Sequence, residues 1–246
     1  MKTVCLSVAF ILLLGFSVLP RKNNGQLQIQ FQHFLDAQIL QLDSAVYQNA
    51  LGQAYSISKF KYYVGHFRLK NTSGKTYQHS GYFLIDEEEA NSKIISLNNI
   101  PLGEYSEINF TLGVDSIHNC SGAQSSALDP LHGMFWSWSS GYIFLKLEGK
   151  SPACNTPSNF FEYHIGGYKA ESNCLRHITL PFKSPLTISA DKKPTLNIYT
   201  AVDEVLKNPT AIDFAKLPTV TDHQNATTVA DNYADIFSIG SKVYEK

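Results

Sequence analysis

Residues 27–33 read Leu-Gln-Ile-Gln-Phe-Gln-His, three apolar side chains alternating with three glutamines. Successive side chains on a strand point to opposite faces, so this period of two puts Leu27, Ile29 and Phe31 on a buried face and the glutamines on a wet one. His33 continues the inward row. A neutral imidazole there needs a partner for each ring nitrogen. Outward from this strand, runs rich in β-branched and aromatic residues recur at 55–57, 60–69, 81–85, 107–112, 141–147, 160–165, 177–180 and 195–199. Glycines, asparagine and prolines at 52, 71–74, 101–103, 149–152 and 166–167 punctuate them. Many short strands with no long helix between them predict an all-β chain, an antiparallel β-sandwich. Short peripheral helices are expected at 201–206 and, near the C-terminus, at 227–237, where Val229, Tyr233, Ile236 and Phe237 form an apolar stripe.

Ahead of the first strand, Lys2 precedes a predominantly apolar stretch over residues 4–16 and then Ser17. That is the pattern of a signal peptide over residues 1–20, with the cleavage point between 17 and 26. The apolar run is shorter than the roughly 20 residues a membrane-spanning helix needs, and no later segment approaches that length. A single domain over residues 27–246, periplasmic or secreted and with no integral membrane segment, is therefore expected. The formal charge of −1 becomes −2 once Lys2 leaves, which excludes an electrostatic grip on nucleic acid. Three cysteines remain, Cys120, Cys154 and Cys174. An oxidising compartment permits a Cys154–Cys174 disulfide around an intervening hairpin, and Cys120 is then either a small buried apolar residue or a soft metal ligand.

No Gly-x-Ser-x-Gly elbow, phosphate loop, His-Glu-x-x-His or paired Cys-x-x-Cys is present. The acidic run at residues 86–89 reads as a solvated turn in preference to a calcium loop. Histidine is more informative. His33 lies on the apolar face of the first strand, and His164 ends an aromatic strand just before Gly166 and Gly167. Each is either a satisfied structural histidine or a ligand. Residues 128–149, LDPLHGMFWSWSSGYIFLKLEG, hold both tryptophans, Trp136 and Trp138, which would share one face of a strand. Packing, sugar stacking and oxidation of a tryptophan to a metal ligand all remain open for them.

Taken together, FQH with LDSAVYQNALGQAYSISKFKYYV, INFTLGVDSIHN, the Trp-rich stretch, FEYHIGGY and VADNYADIF resemble the MbnP-like family of extracytoplasmic copper-associated proteins, over nearly all of the chain. The resemblance implies a β-sandwich holding copper, Cu(I) or Cu(II), through histidines and a tryptophan-derived kynurenine that a di-haem peroxidase partner makes. His33 and His164 match the histidine ligands, with Met134 and His118 as possible additions. Where the family pattern places the modified tryptophan, two residues before the first histidine, this chain has Phe31. Copper is then held by histidines alone, or Trp136 or Trp138 is the modified residue, or the scaffold persists without metal.

The expectation is a copper-binding protein that stores or delivers its ion without turnover, and so not an enzyme. The alternative is a recognition module that binds a glycan or protein partner through the Trp-rich edge. A hydrolase built on scattered carboxylates such as Asp115 and Asp129 ranks last, because no convergent catalytic groups are visible.

Overall fold

The computed structural model describes residues 23–122, 124–137, 141–222 and 225–240, so the signal peptide expected at 1–20 lies outside the described residues. Among the described residues fifteen strands follow one another. The first seven are β1 (Asn24–Leu35), β2 (Gln38–Ile39), β3 (Tyr47–Gln48), β4 (Ala54–Asn71), β5 (Thr76–Asp86), β6 (Ile94–Pro101) and β7 (Gly103–Leu112). A short helix α1 (Ser116–Cys120) leads to β8 (Phe135–Ser137), β9 (Gly141–Tyr142), β10 (Leu145–Lys150), β11 (Phe160–Ile165), β12 (Arg176–Ile188) and β13 (Thr195–Ala201). Then come β14 (Thr219–Val220), helix α2 (Ala226–Asn232) and β15 (Phe237–Ile239). The short helices expected near 201–206 and 227–237 are both found, the first as a 3-10 turn at Val202–Leu206. Among the described residues no helix is long and apolar enough to cross a membrane.

The strands form an all-β sandwich. One sheet runs β15-β13-β1-β2, with β6 also on β1, a second runs β12-β7-β4-β10-β11-β14, with β3 and β5 also on β4, and β8 and β9 pair with each other. Most pairs are antiparallel, but β1 pairs β13 and β11 pairs β14 in parallel. The alternation predicted for β1 holds: Leu27, Ile29, Phe31, His33 and Leu35 are buried and the residues between them are not. β6 was not visible as a run of β-branched residues, because Ile94, Ile95, Leu97 and Ile100 are diluted by Ser96, Asn98 and Asn99.

The core lies between the sheets and is largely aromatic. Phe31 of β1 meets Tyr62 and Phe110 of the facing sheet and Phe237 of β15 edge-on, each at 6.1 Å between ring centres. Such edge-to-face pairs add about 0.5–1.5 kcal/mol each beyond area burial. Phe31, where the resemblance expects a modified tryptophan, is therefore a packing position here.

β4 organises the second sheet. Residues 56–62 pair with β10 and residues 64–71 with β7, while β5 runs along residues 61–70. The change from β10 to β7 falls at Tyr63, whose N–H donates to Phe144 O and whose carbonyl accepts from Gly113 N–H. Gly113 turns the chain there with φ +106°, and a Cβ on it would lie 2.5 Å from the Phe144 ring. Only glycine fits both demands. The segment after it is thereby folded over β4 just where β4 bulges.

Candidate metal centre

That bulge carries His66. Between Gly65, which pairs Thr111, and Arg68, which pairs Asn109, two residues of β4 oppose one of β7. His66 takes φ +52°, a left-handed conformation that costs a non-glycine residue on the order of 1 kcal/mol or more. Bulges of this sort re-aim a side chain. Opposite it, Asp115 caps α1 by accepting the His118 N–H at 2.9 Å. Buried Asn119 locks the helix down: its amide donates to Val114 O at 2.6 Å and Asp115 O at 2.9 Å, and accepts Tyr142 N–H at 2.8 Å.

The result is a half-exposed cluster. His66 Nε2 lies 2.8 Å from Asp115 Oδ2 and 2.7 Å from Tyr82 Oη, and the Tyr82 hydroxyl donates to Asp115 Oδ2 at 2.8 Å. His118 Nδ1 lies 2.9 Å from Asp115 Oδ1 and 3.0 Å from Oδ2. Partial burial pushes the Asp115 carboxyl up, but hydrogen bonds from the His118 backbone and ring, Tyr82 and His66 outweigh it and hold the group well below the usual carboxylate range. Asp115 is thus an anion at any neutral pH. One ligand atom from each of His66, Asp115 and His118 lies within 4.8 Å of the others. Two imidazoles and one carboxylate suit copper or zinc by donor type, and half-exposed side chains leave room for an ion to reach them. No lysine or arginine pairs with Asp115 among the described residues, so the charge is available to a cation.

The two histidines singled out in the sequence do not share a site. His33 is buried between the sheets, its Nδ1 2.6 Å from Glu87 Oε2 and its Nε2 2.9 Å from Tyr62 Oη. Burial lowers its pKa and so favours the neutral ring, an effect that Glu87 partly offsets. With Nδ1–H donating to Glu87 and Nε2 accepting from Tyr62, both nitrogens are engaged. His164 stands on the opposite, outer face of the second sheet. Its Nε2 lies 2.8 Å from Glu148 Oε1, and with Glu162 these form a second group of metal-type side chains. The hydrogen bond from His164 holds the Glu148 carboxyl down at about 2. Lys59 and Lys146 approach the same carboxylate at 3.3 and 3.8 Å, so its charge is already met by ammonium groups. With one nitrogen donor and two flanking lysines, this group fits copper less well than the His66 cluster.

The remaining candidates fall as follows. His118 joins the cluster. Met134 is fully buried as core filling. Trp136 is half-buried with its ring over Gly166, where a Cβ would come within 2.8 Å of it, and Trp138 lies outside the described residues. The expected Cys154–Cys174 disulfide is not formed, since both are free thiols. The segment between them is strand β11, not a hairpin. Cys154 N–H bonds Ser151 O before it and Cys174 N–H bonds Gly167 O after it. Six strand residues span about 20 Å, far beyond the roughly 7 Å a bridge allows. Cys120, for which the sequence offered a small buried residue or a soft metal ligand, is exposed, which rules out the first. The acidic run at 86–89 is only partly a solvated turn: Asp86 pairs Lys61 at 2.7 Å, and Glu87 pairs His33 and Lys93.

His66, Asp115 and Tyr82 were not assigned to a metal site by sequence. The available hint was Asp-x-x-His in GVDSIH, an i,i+3 pair on one helix face. Nothing local linked it to a histidine about fifty positions earlier.

A family model described as MbnP matches residues 24–225. A solved structure, MbnP from Methylosinus trichosporium, superposes with a TM-score of 0.60 at 15% identity, covering 89% of this chain and 99% of that one. No curated protein matches the chain.

Proposed function

Because the chain belongs to the MbnP family, we propose that it is an extracytoplasmic copper-binding protein that stores or delivers the ion without turnover, and that the ion is held by His66, His118 and Asp115. The observation that carries this reading is the convergence of two imidazoles on one carboxylate that has no lysine or arginine partner among the described residues. The role of each residue follows from its position. His66 and His118 supply nitrogen donors, Asp115 supplies charge and orients both rings, and Tyr82 fixes the carboxylate from the side away from α1. Phe31, at the position where the resemblance expects the modified tryptophan, is a core residue and supplies no kynurenine. The di-haem peroxidase expected from the resemblance would, in this reading, act on Trp136 or Trp138 and not on a ligand.

The test is titration of the purified chain with Cu(II), read by calorimetry and by electron paramagnetic resonance. One bound ion with hyperfine structure from two nitrogens is expected, falling to one nitrogen and on the order of a hundredfold weaker binding in His118→Ala or His66→Ala. Unchanged binding in both variants, with loss in His33→Ala or His164→Ala, returns the site to the pair that the resemblance matched.

A further inference from the structure

The His66 cluster does not sit on a flat surface. It forms one end of a cleft of about 490 Å³ on the outer face of the second sheet, whose lining includes His66, Asp115 and, across β7, His177 at that end and Arg68, Lys70, Asn109 and Glu107 beyond. The strands dictate the order. Arg68 follows His66 by two positions on β4, about 7 Å along the strand, and stands across from Asn109 of β7. His177 of β12 pairs Thr111, which pairs Gly65, so it closes the cleft from the far side. Arg68 is exposed and has no ion-pair or hydrogen-bond partner among the described residues. Lys70 makes one long contact, 3.8 Å to Glu107. A volume in the range of small-molecule sites thus has a metal-type cluster at one end and an uncommitted guanidinium beside it.

We propose that this cleft binds the metal together with a small anionic chelator, whose carboxylate pairs with Arg68 while a second donor completes the coordination of the ion at His66 and His118. The inference rests on the copper reading and adds to it the chemical class of the co-ligand. A guanidinium presents a planar fork that matches a carboxylate through two parallel hydrogen bonds, and a lysine at the same point would not. Placing that fork one strand repeat from the metal ligands sets the length of the ligand: two donor groups separated by a few bonds, as in a hydroxy-carboxylate or polycarboxylate. Between the two ends stand neutral Asn109, bonded to Glu107 and Thr179, and Thr111, bonded to Gly65 O, while the Glu107 carboxylate of the lining faces Lys70 at 3.8 Å. A bound dication strengthens the pull on an anion, so metal and chelator each tighten the other.

Citrate is the probe. The chain is equilibrated with copper and radiolabelled citrate, separated by rapid gel filtration, and both components are counted. Retention of one copper and one citrate per chain is expected, with no citrate retained when copper is left out at the same concentrations. Arg68→Ala should lower citrate retention about tenfold while copper binding in the absence of citrate stays unchanged, and Arg68→Lys should recover only part of the loss. Copper retained with citrate left in solution, or equal citrate retention in Arg68→Ala, overturns the inference and leaves the copper site standing. Failure to retain copper with or without citrate overturns both.

Discussion

His33 and His66 lie on strands that face each other across the sandwich or bulge out of it, and they make opposite use of the same side chain. His33 sits in the aromatic interior, with Glu87 on one nitrogen, the Tyr62 hydroxyl on the other and the Phe60 ring at 5.0 Å between centres. Nothing is left for a ligand. His66 sits on a bulge at the outer face, where Asp115, Tyr82 and His118 gather around it from two other segments. Burial forces a histidine to be satisfied by the protein, because an unpaired nitrogen in the core is costly. Partial exposure lets several polar groups converge and still exchange partners. A histidine on the apolar face of a strand is thus better placed to hold the fold together than to hold an ion.

The comparison can be broken most sharply at His33. Its replacement by alanine opens a cavity and takes one partner each from the Glu87 carboxylate, which keeps Lys93 at 2.8 Å, and from the Tyr62 hydroxyl, which keeps Thr200 at 3.3 Å. It should cost about 3 kcal/mol in urea unfolding, with copper binding by the folded fraction unchanged. Loss of copper in that variant under conditions where it remains folded would merge the two regions. The same residue predicts a pH dependence. The folded pKa of His33 is lowered from 6.5, so the unfolded chain takes up the proton first. The stability it contributes is complete above pH 6.5 and is lost as pH falls from there through the lower folded value. Unfolding midpoints followed from pH 8 to 5 should drop in the parent more steeply than in His33→Gln.

Smaller effects sharpen the other side. Tyr82→Phe removes the hydroxyl that steadies Asp115 without removing a donor proposed for the metal, and should weaken copper about tenfold while leaving the two-nitrogen signature in place. A change in the number of nitrogens would mean that Tyr82 orders His66 itself. Smallest of all, His164→Ala should leave copper affinity within about a factor of two and stability within about 1 kcal/mol, since the Glu148 carboxylate keeps Lys59 and Lys146. Urea melts and copper calorimetry on one sample check both figures.

The sandwich was legible because its strands obey a period of two and are separated by glycine, proline and asparagine, as β1 shows from Leu27 to Leu35. The site was not, for two physical reasons. A bulge has no periodic signature, so nothing in YYVGHFRL says that His66 leaves the alternation of its strand. The partner groups come from Asp115 and His118, and only the hand-over of β4 from β10 to β7 at Tyr63 brings that segment across. Conversely, the features that made His33 conspicuous, an apolar face and an aromatic neighbourhood, are those of a structural histidine. The disulfide failed for a related reason: closeness in sequence was taken for closeness in space, and β11 is an extended rod between the two thiols.

The parallel pairing of β1 with β13 carries a consequence for how the chain comes together. Strand β1 is flanked by β6 on one side, but its other edge waits for residues 195–201, and that edge is completed only when β15 is laid on β13. A chain that emerges N-terminus first therefore has β4, β5 and β7 available to pair well before β1 gains β13, since loop closure over some 165 positions must precede that ladder. Until then Phe31 and His33 have half of their surroundings missing. The strand that begins the domain is the one whose place is settled at the end.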